Sequence, residues 1–371
     1  MVLLFFIVLI LYSFLITSYF LGFKKARWFD FNASTTASTA ISILIPYRIH
    51  TDFDTLKALV QSILSQKEAH HDIEIILIDD FSSIATPKIE NTSQICLKDH
   101  RSELSDIKNN KKESLEYGVS LSKYNKIVCL DADILLSSHW LNATLQFIEK
   151  YNPKFAAGIH RYSLKGGFFN QFLALEQDNL TAISIGSLAN GSPTMCNGAN
   201  MIFDKSSFIE IGRYQGLYHI NGGDDMFLYH RMFEKYPLET YYIKSLENAV
   251  YSDTAPSFVD FIKQRNRWLS KSLDYERTSV TWQLALVFIT NVLVVISFLV
   301  LLLHPPFIVL ISLKIIIDVC FLHFQRRFFN TQTSFFKLLI MATMYPFYVS
   351  FIGFYALYAM IKVKYLPLQH N

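Results

Sequence analysis

The chain has 371 residues, 51% of them hydrophobic, with a formal charge of only +3 and a mean hydropathy of +0.25. So apolar a composition excludes an ordinary soluble domain and implies membrane and globular parts in one chain. The near-neutral charge excludes a polycation built for nucleic acid, and the four singly placed cysteines (Cys96, Cys129, Cys196, Cys320) have neither zinc-site spacing nor the density of a disulfide framework.

Residues 2–23, VLLFFIVLILYSFLITSYFLGF, carry no charge, and about 20 apolar residues cross a bilayer as a helix. The start is not basic and the apolar core is long, which favours an uncleaved anchor over a signal peptide. Lys24, Lys25 and Arg27 follow at once and assign this end to the cytoplasm by the positive-inside rule. Trp28 suits the interfacial aromatic belt. Residues 24–40 read as a basic juxtamembrane segment and linker, flexible over FNASTTASTA.

Residues 41–275 have the length of one domain with a substantial core. Ile41–Ile45 is a β-rich run ended by Pro46 and followed by Tyr47. Leu56, Leu59, Val60, Ile63 and Leu64 recur at helical spacing. Ile73–Ile78 is a second apolar strand, ending in Asp79-Asp80. Strand, helix, strand with continuous apolar strands predicts a βαβ unit and a parallel sheet. A charged stretch follows, with Lys111 and Lys112 before a helix expected over Glu113–Leu121. These lysines could neutralise phosphates or simply form a solvated basic turn.

The next strand, within NKIVCLDADILL, ends in Asp131-Ala-Asp133. One Asp there could be a cap or turn former. Two carboxylates one residue apart repel and raise each other's pKa unless a cation joins them. Hard cations such as Mg²⁺ and Mn²⁺ bind carboxylate oxygens and share them with substrate phosphates. Pro46, Asp79-Asp80 and Asp131-Ala-Asp133 all stand at carboxyl ends of strands, where open α/β sheets bind ligands. Cys129, in the strand itself, reads as core.

Further on, Met195–Phe203 is a small-residue turn entering a strand. Asn221-Gly-Gly-Asp-Asp225 opens a helix, and its glycines suit a loop that presents a base to a substrate. Asp224 and Asp225 also favour the helix dipole. In Gln264-Arg-Asn-Arg-Trp268, residues Gln264, Arg267 and Trp268 share one helix face; a basic amphipathic helix lying on lipid is the alternative.

The carboxy-terminal region, 282–361, carries three more predicted spans: 282–303, 307–324 and 335–361. His304-Pro305-Pro306 breaks the first from the second. Lys314 and Asp318 sit four residues apart inside the second, as an ion pair or a substrate contact. Pro346 predicts a kink in the third. Four spans put both termini outside, with Arg326 and Arg327 cytoplasmic and Lys362 and Lys364 on the unfavoured side.

Together these motifs resemble those of the family 2 glycosyltransferases, in the membrane-anchored branch with cellulose, hyaluronan and chitin synthases and ceramide glucosyltransferases. The similarity covers about residues 40–275 and the arrangement of flanking helices. It implies a GT-A α/β catalytic domain with a mostly parallel sheet, flanked by transmembrane helices, that uses a nucleotide-diphospho-sugar with Mg²⁺ or Mn²⁺. Residue by residue, it implies that Pro46 and Tyr47 begin the nucleotide pocket. Asp79 and Asp80 contact the uracil or ribose, with Lys111 beside them. Asp131 and Asp133 are the D-x-D pair, Asp133 reaching the metal. Asp225 is the base of the E-D motif. Gln264, Arg267 and Trp268 hold the diphosphate and frame the acceptor entrance, and Asn197 and Gly198 resemble a G-T-N turn near the acceptor. The sequence departs from the family at Asp224, where Glu is usual, and at Pro46-Tyr47-Arg48.

The implied function is an inverting sugar transfer, most simply from a UDP-sugar to a glycan or lipid-linked acceptor. Its implied setting is a multi-pass protein of a bacterial inner or plasma membrane, with a cytoplasmic catalytic domain, membrane lipids and envelope-glycan assembly partners around it. A ceramide or polyprenyl-phosphate acceptor is the alternative within enzymes. A non-catalytic membrane scaffold on a transferase fold is the alternative of another class; turnover of labelled sugar nucleotide separates it from an enzyme.

Overall fold

The computed structural model describes residues 2–48, 51–79, 88–97, 111–163, 166–220, 222–269, 277–301 and 303–365. Asp80 and Asn221 lie outside the described residues.

Along the chain, the first apolar stretch forms α1 (Val2–Lys25). The expected strand–helix–strand unit follows as β1 (Ile41–Tyr47), α2 (Phe53–Gln66) and β2 (Ile73–Asp79). Then come β3 (Ser93–Cys96), α3 (Lys111–Leu121), β4 (Lys126–Leu130) and β5 (Leu135–Leu136). Next are α4 (Trp140–Tyr151), β6 (Phe155–Ala157), β7 (His160–Tyr162) and α5 (Phe168–Ala189). They lead to β8 (Asn200–Asp204), α6 (Lys205–Glu210), α7 (Asp224–Lys235), β9 (Thr240–Tyr242) and β10 (Val250–Ser252). The chain closes with α8 (Phe258–Leu269), α9 (Thr278–Val300), α10 (Phe307–Phe328) and α11 (Phe335–Tyr365).

These elements fall into two compact units. The α/β unit comprises Ala26–Ser163 and Met195–Asp253. Its main sheet has the order β3-β2-β1-β4-β8-β6-β9, and a smaller one the order β5-β10-β7. In the main sheet β8 pairs antiparallel with both neighbours, while the other pairings are parallel. An antiparallel strand begins where its parallel neighbours end, so the turn before β8 stands at the carboxyl edge of β4, with Leu130 opposite Asn200. β1 runs through Pro46, two residues beyond its last pairing with β4 at Leu44, while still pairing with β2. A proline can continue a strand that has become one-sided.

Helix α2 starts where the Asp52 carboxylate caps the amides of Asp54 and Thr55. It buries the expected Leu56, Leu59, Val60 and Ile63 in one apolar cluster with Ile43, Ile45, Leu77 and Val128 of the sheet. Fully burying one such side chain is worth about 1.5–3 kcal/mol. Cys129 is fully buried. Helix α3 approaches the sheet at Gly118, where a Cβ would meet Ile78 Cδ1 at 2.3 Å. A larger residue there would force the Ile78 side chain to move.

The second unit comprises Met1–Lys25, Leu164–Thr194 and Thr254–Asn371. It divides the expected 41–275 stretch, since 164–194 and everything from Thr254 onward group with the apolar helices. Among the described residues, four helices are long and apolar enough to cross a membrane: Val2–Lys25, Thr278–Val300, Phe307–Phe328 and Phe335–Ala359. Between the first two in sequence stands α5, which no sequence pattern announces because polar residues lie along its buried sides: Glu176, Gln177, Asp178, Thr181 and Ser184. It meets α1 backbone to backbone. A Cβ on Gly22 would lie 2.1 Å from the Gly186 carbonyl oxygen, and one on Gly186 would lie 2.2 Å from that of Tyr19. The expected pair in α10 forms, Lys314 Nζ to Asp318 Oδ2 at 2.6 Å, and the Tyr12 hydroxyl of α1 donates to Asp318 Oδ1 at 2.7 Å. Charges inside an apolar bundle are costly unless paired, so these contacts fix which faces of α1 and α10 meet.

Candidate active site

At the carboxyl edge of the main sheet the α/β unit gathers residues from several separate chain segments. Lys111, the first residue of α3, reaches Asp131 Oδ1 at 2.5 Å and Asp224 Oδ2 at 3.5 Å. Lys111 is thus paired with carboxylates rather than part of a solvated turn. Burial pulls its ammonium pKa down, and the charges of Asp131 and Asp224 outweigh this and hold it well above the ordinary value. Lys112 turns away. It is fully buried, its Nζ donates to the carbonyl oxygens of Ile220 at 2.6 Å and Gly222 at 2.5 Å, and it lies 5.6 Å from the Phe227 ring. Its described contacts hold the loop that delivers Asp224 and Asp225.

That loop requires its glycines. Gly222 and Gly223 have φ of +78° and +68°, and Gly223 caps α7 in the left-handed region, which costs another residue about 1–2 kcal/mol. Asp224 is buried and Asp225 half-buried. Asp225 Oδ2 accepts the Gly198 amide at 3.1 Å, and Oδ1 accepts the Met226 amide at 2.8 Å. A Cβ on Gly198 would stand 3.2 Å from Asp225 Cβ and 3.5 Å from Lys111 Nζ, so only glycine leaves this spacing undisturbed. Burial first, then the adjacent Asp224 charge, push the Asp225 carboxyl up to about 6, against the pull of Lys111 and the Met226 amide. A carboxylate with that value is largely ionised near neutrality and still basic enough to take a proton.

If Asp225 serves as the base, it must be ionised to do so, and kcat/KM is expected to fall as pH drops through about 6. Asp224→Asn removes the like charge and lowers the Asp225 pKa, so the acid limb should move to lower pH. A limb that stays put or rises would show that Asp224 does not act on Asp225.

Asp131 is half-buried and Asp133 exposed, directly beyond β4. Asp253, just after β10, bears its charge on Asp133, and Tyr251 of β10 pairs with Leu135 of β5. The small sheet thereby brings a third carboxylate near the D-x-D pair, one that sequence reasoning missed although an acidic residue after an apolar strand was its signal. Asp79 is buried and stands opposite Tyr47 in the β1–β2 register. Tyr47 belongs to the apolar core cluster, and Pro46 is half-buried beside it.

His160 had no sequence signal. Only 5% exposed, it lies with Nδ1 3.1 Å from Asn197 Nδ2 and Nε2 2.8 Å from Ser252 Oγ. Burial, opposed by the charge of Asp131, lowers its pKa to about 4, so it is neutral.

Gln264, Arg267 and Trp268 belong to α8 in the helical unit; Arg267 is exposed and the other two are half-buried. Also on α8, Arg265 is buried against the Trp268 ring and pairs with Glu176 at 2.6 Å. Its signal was the four-residue step from Phe261, which is buried on the same face.

The architecture of the sheet is that of the GT-A glycosyltransferases. A mannosyltransferase from Pyrobaculum calidifontis, solved with GDP-Man and Mn²⁺, superposes with a TM-score of 0.53 over 97% of this chain and 96% of its own, at 12% identity. Residues 42–212 match the glycosyl transferase family 2 model. The poly-β-1,6-N-acetyl-D-glucosamine synthases of Staphylococcus aureus strains MSSA476 and MW2 are each 25% identical over 173 residues, 44% of this chain. The match spans 39% of the length of those relatives.

Proposed function

We propose that the chain transfers a sugar, with inversion, from a nucleotide-diphospho-sugar to a hydroxyl of a glycan or lipid-linked acceptor at a membrane. The observation that carries this reading is the Asp225 carboxylate, raised to about 6 and held by the Gly198 amide beside the Lys111–Asp131 pair. Asp225 takes the acceptor hydroxyl proton as that oxygen bonds to the anomeric carbon. The bond from that carbon to the diphosphate oxygen breaks, and its electron pair leaves with the diphosphate. Attack from the opposite side inverts the anomeric centre.

The residues fit a hard divalent cation. Asp131 and Asp133, with Asp253 near them, offer an oxygen-only donor set, and the Lys111 ammonium on Asp131 is consistent with a cluster that pairs with positive charge. When bound, Mg²⁺ or Mn²⁺ would neutralise charge developing on the diphosphate. Lys111 can turn from Asp131 to a phosphate oxygen, and Asp79 with Pro46 and Tyr47 would border the nucleoside. Roles for Asp80, Gln264, Arg267 and Trp268 are carried by the motifs.

The staphylococcal synthases, named for a polysaccharide product, support a glycan acceptor. The four helices long enough to span a bilayer support an acceptor at the membrane, and the basic residues after α1 and at the end of α10 support a cytoplasmic catalytic side. The test is a screen of radiolabelled UDP- and GDP-sugars against the detergent-solubilised chain with and without Mn²⁺ or Mg²⁺. Divalent-dependent turnover of one donor, lost in Asp133→Asn, is expected. No binding and no turnover of any donor would overturn the reading.

A further inference from the structure

Asn197 makes an Asx-type turn. Its Oδ1 accepts the Ala199 amide at 2.9 Å, which fixes the orientation of its own amide: the NH₂ end faces His160. His160 Nδ1 must then accept, at 3.1 Å, so the ring proton sits on Nε2 and donates to Ser252 Oγ at 2.8 Å. Both ring nitrogens are satisfied inside the fold. The turn so held contains Gly198, whose amide is aimed at Asp225 Oδ2. Donors run outward from the turn in two directions, from the Asn197 amide to His160 and on to Ser252 of the small sheet, and from the Gly198 amide to Asp225.

We propose that His160 is a positioning residue for the base: as a fixed hydrogen-bond acceptor it locks the Asn197 turn so that the Gly198 amide meets Asp225. The proposal rests on Asp225 being the base. A buried histidine with satisfied nitrogens is usually plain core. This one differs because the group it holds is the residue before the Gly198 amide. Its value of about 4, against about 6 for Asp225, keeps it an acceptor throughout the range in which Asp225 changes charge. The groups facing it are Asp131, Asn197, Ser252 and the Tyr162 ring. Those acting on Asp225 are Asp224, Lys111 and Asp131, with Cys196 against its backbone oxygen.

The role also predicts which substitution rescues it. An Asn side chain at 160 can place its oxygen near the Nδ1 position and still accept from Asn197, whereas Leu fills the space and accepts nothing. Hydrogen–deuterium exchange over residues 195–200 reads the lock without any assay of transfer. His160→Leu should speed exchange of the Gly198 amide by about tenfold, the loss of one hydrogen bond, and His160→Asn should not. In transfer, His160→Leu should cut kcat about tenfold with donor KM unchanged and move the acid limb upward, because the ionised carboxylate loses a donor; His160→Asn should stay near wild type. If Leu and Asn variants exchange alike, His160 is only core and the proposal fails. If exchange behaves as expected but Asp225→Asn turns over normally, the lock stands and the assignment of the base fails instead.

Discussion

Asp225→Asn is expected to lower turnover by about 10²–10⁴-fold, the usual range for losing a general base, with donor affinity little changed. The amide cannot accept the acceptor's proton, although it keeps the size of the carboxylate and can still accept one of the two backbone amides now bound. Donor binding should survive because Asp79, Asp131 and Asp133 come from other strand ends. Single-turnover transfer at saturating donor, beside calorimetric titration of the nucleotide-sugar, separates the two. If the variant lost donor binding but transferred at the normal rate once saturated, Asp225 would belong to the donor pocket.

Glu176→Ala should destabilise the helical unit by about 3–5 kcal/mol, the cost of breaking a buried ion pair from one side. Arg265 and Glu176 are 5% and 6% exposed, 2.6 Å apart, and the Tyr348 hydroxyl donates to the other Glu176 oxygen at 2.7 Å. Removing the carboxylate leaves the buried guanidinium 5.1 Å from the Phe261 ring and 4.3 Å from that of Trp268, its charge no longer paired with Glu176. Glu176→Ala combined with Arg265→Met should recover much of the loss, since an apolar pair avoids the desolvation cost. Thermal unfolding of the purified chain in detergent checks both. A single variant no less stable than the double would show that the pair contributes nothing beyond packing.

Local pattern was enough for the helices and strands whose signal lies within a few residues. The 22-residue uncharged start of α1, the three- and four-residue steps of α2, and the continuous apolar runs of β1, β2 and β4 each depend on neighbours in sequence. The D-x-D pair and the Gly-Gly-Asp-Asp run were legible for the same reason, since a strand end or a helix start is a local event. The resemblance of these motifs to those of the family 2 glycosyltransferases is what implied the GT-A fold and a sugar transferase.

What the amino-acid order determined alone was therefore which residues form elements and which motifs sit at their ends. Tertiary structure decided what those residues touch. Lys111 and Lys112 are adjacent and chemically identical, yet one meets Asp131 and Asp224 and the other the carbonyls of Ile220 and Gly222. His160, Asn197 and Ser252 span 92 residues and meet only because β7 and β10 pair. α5 hides among polar residues because its partners, Arg265 and Thr331, lie far along the chain. A side chain's charge state, orientation and hydrogen bonds depend on groups brought near by folding, and no periodicity within a short window encodes those distant contacts.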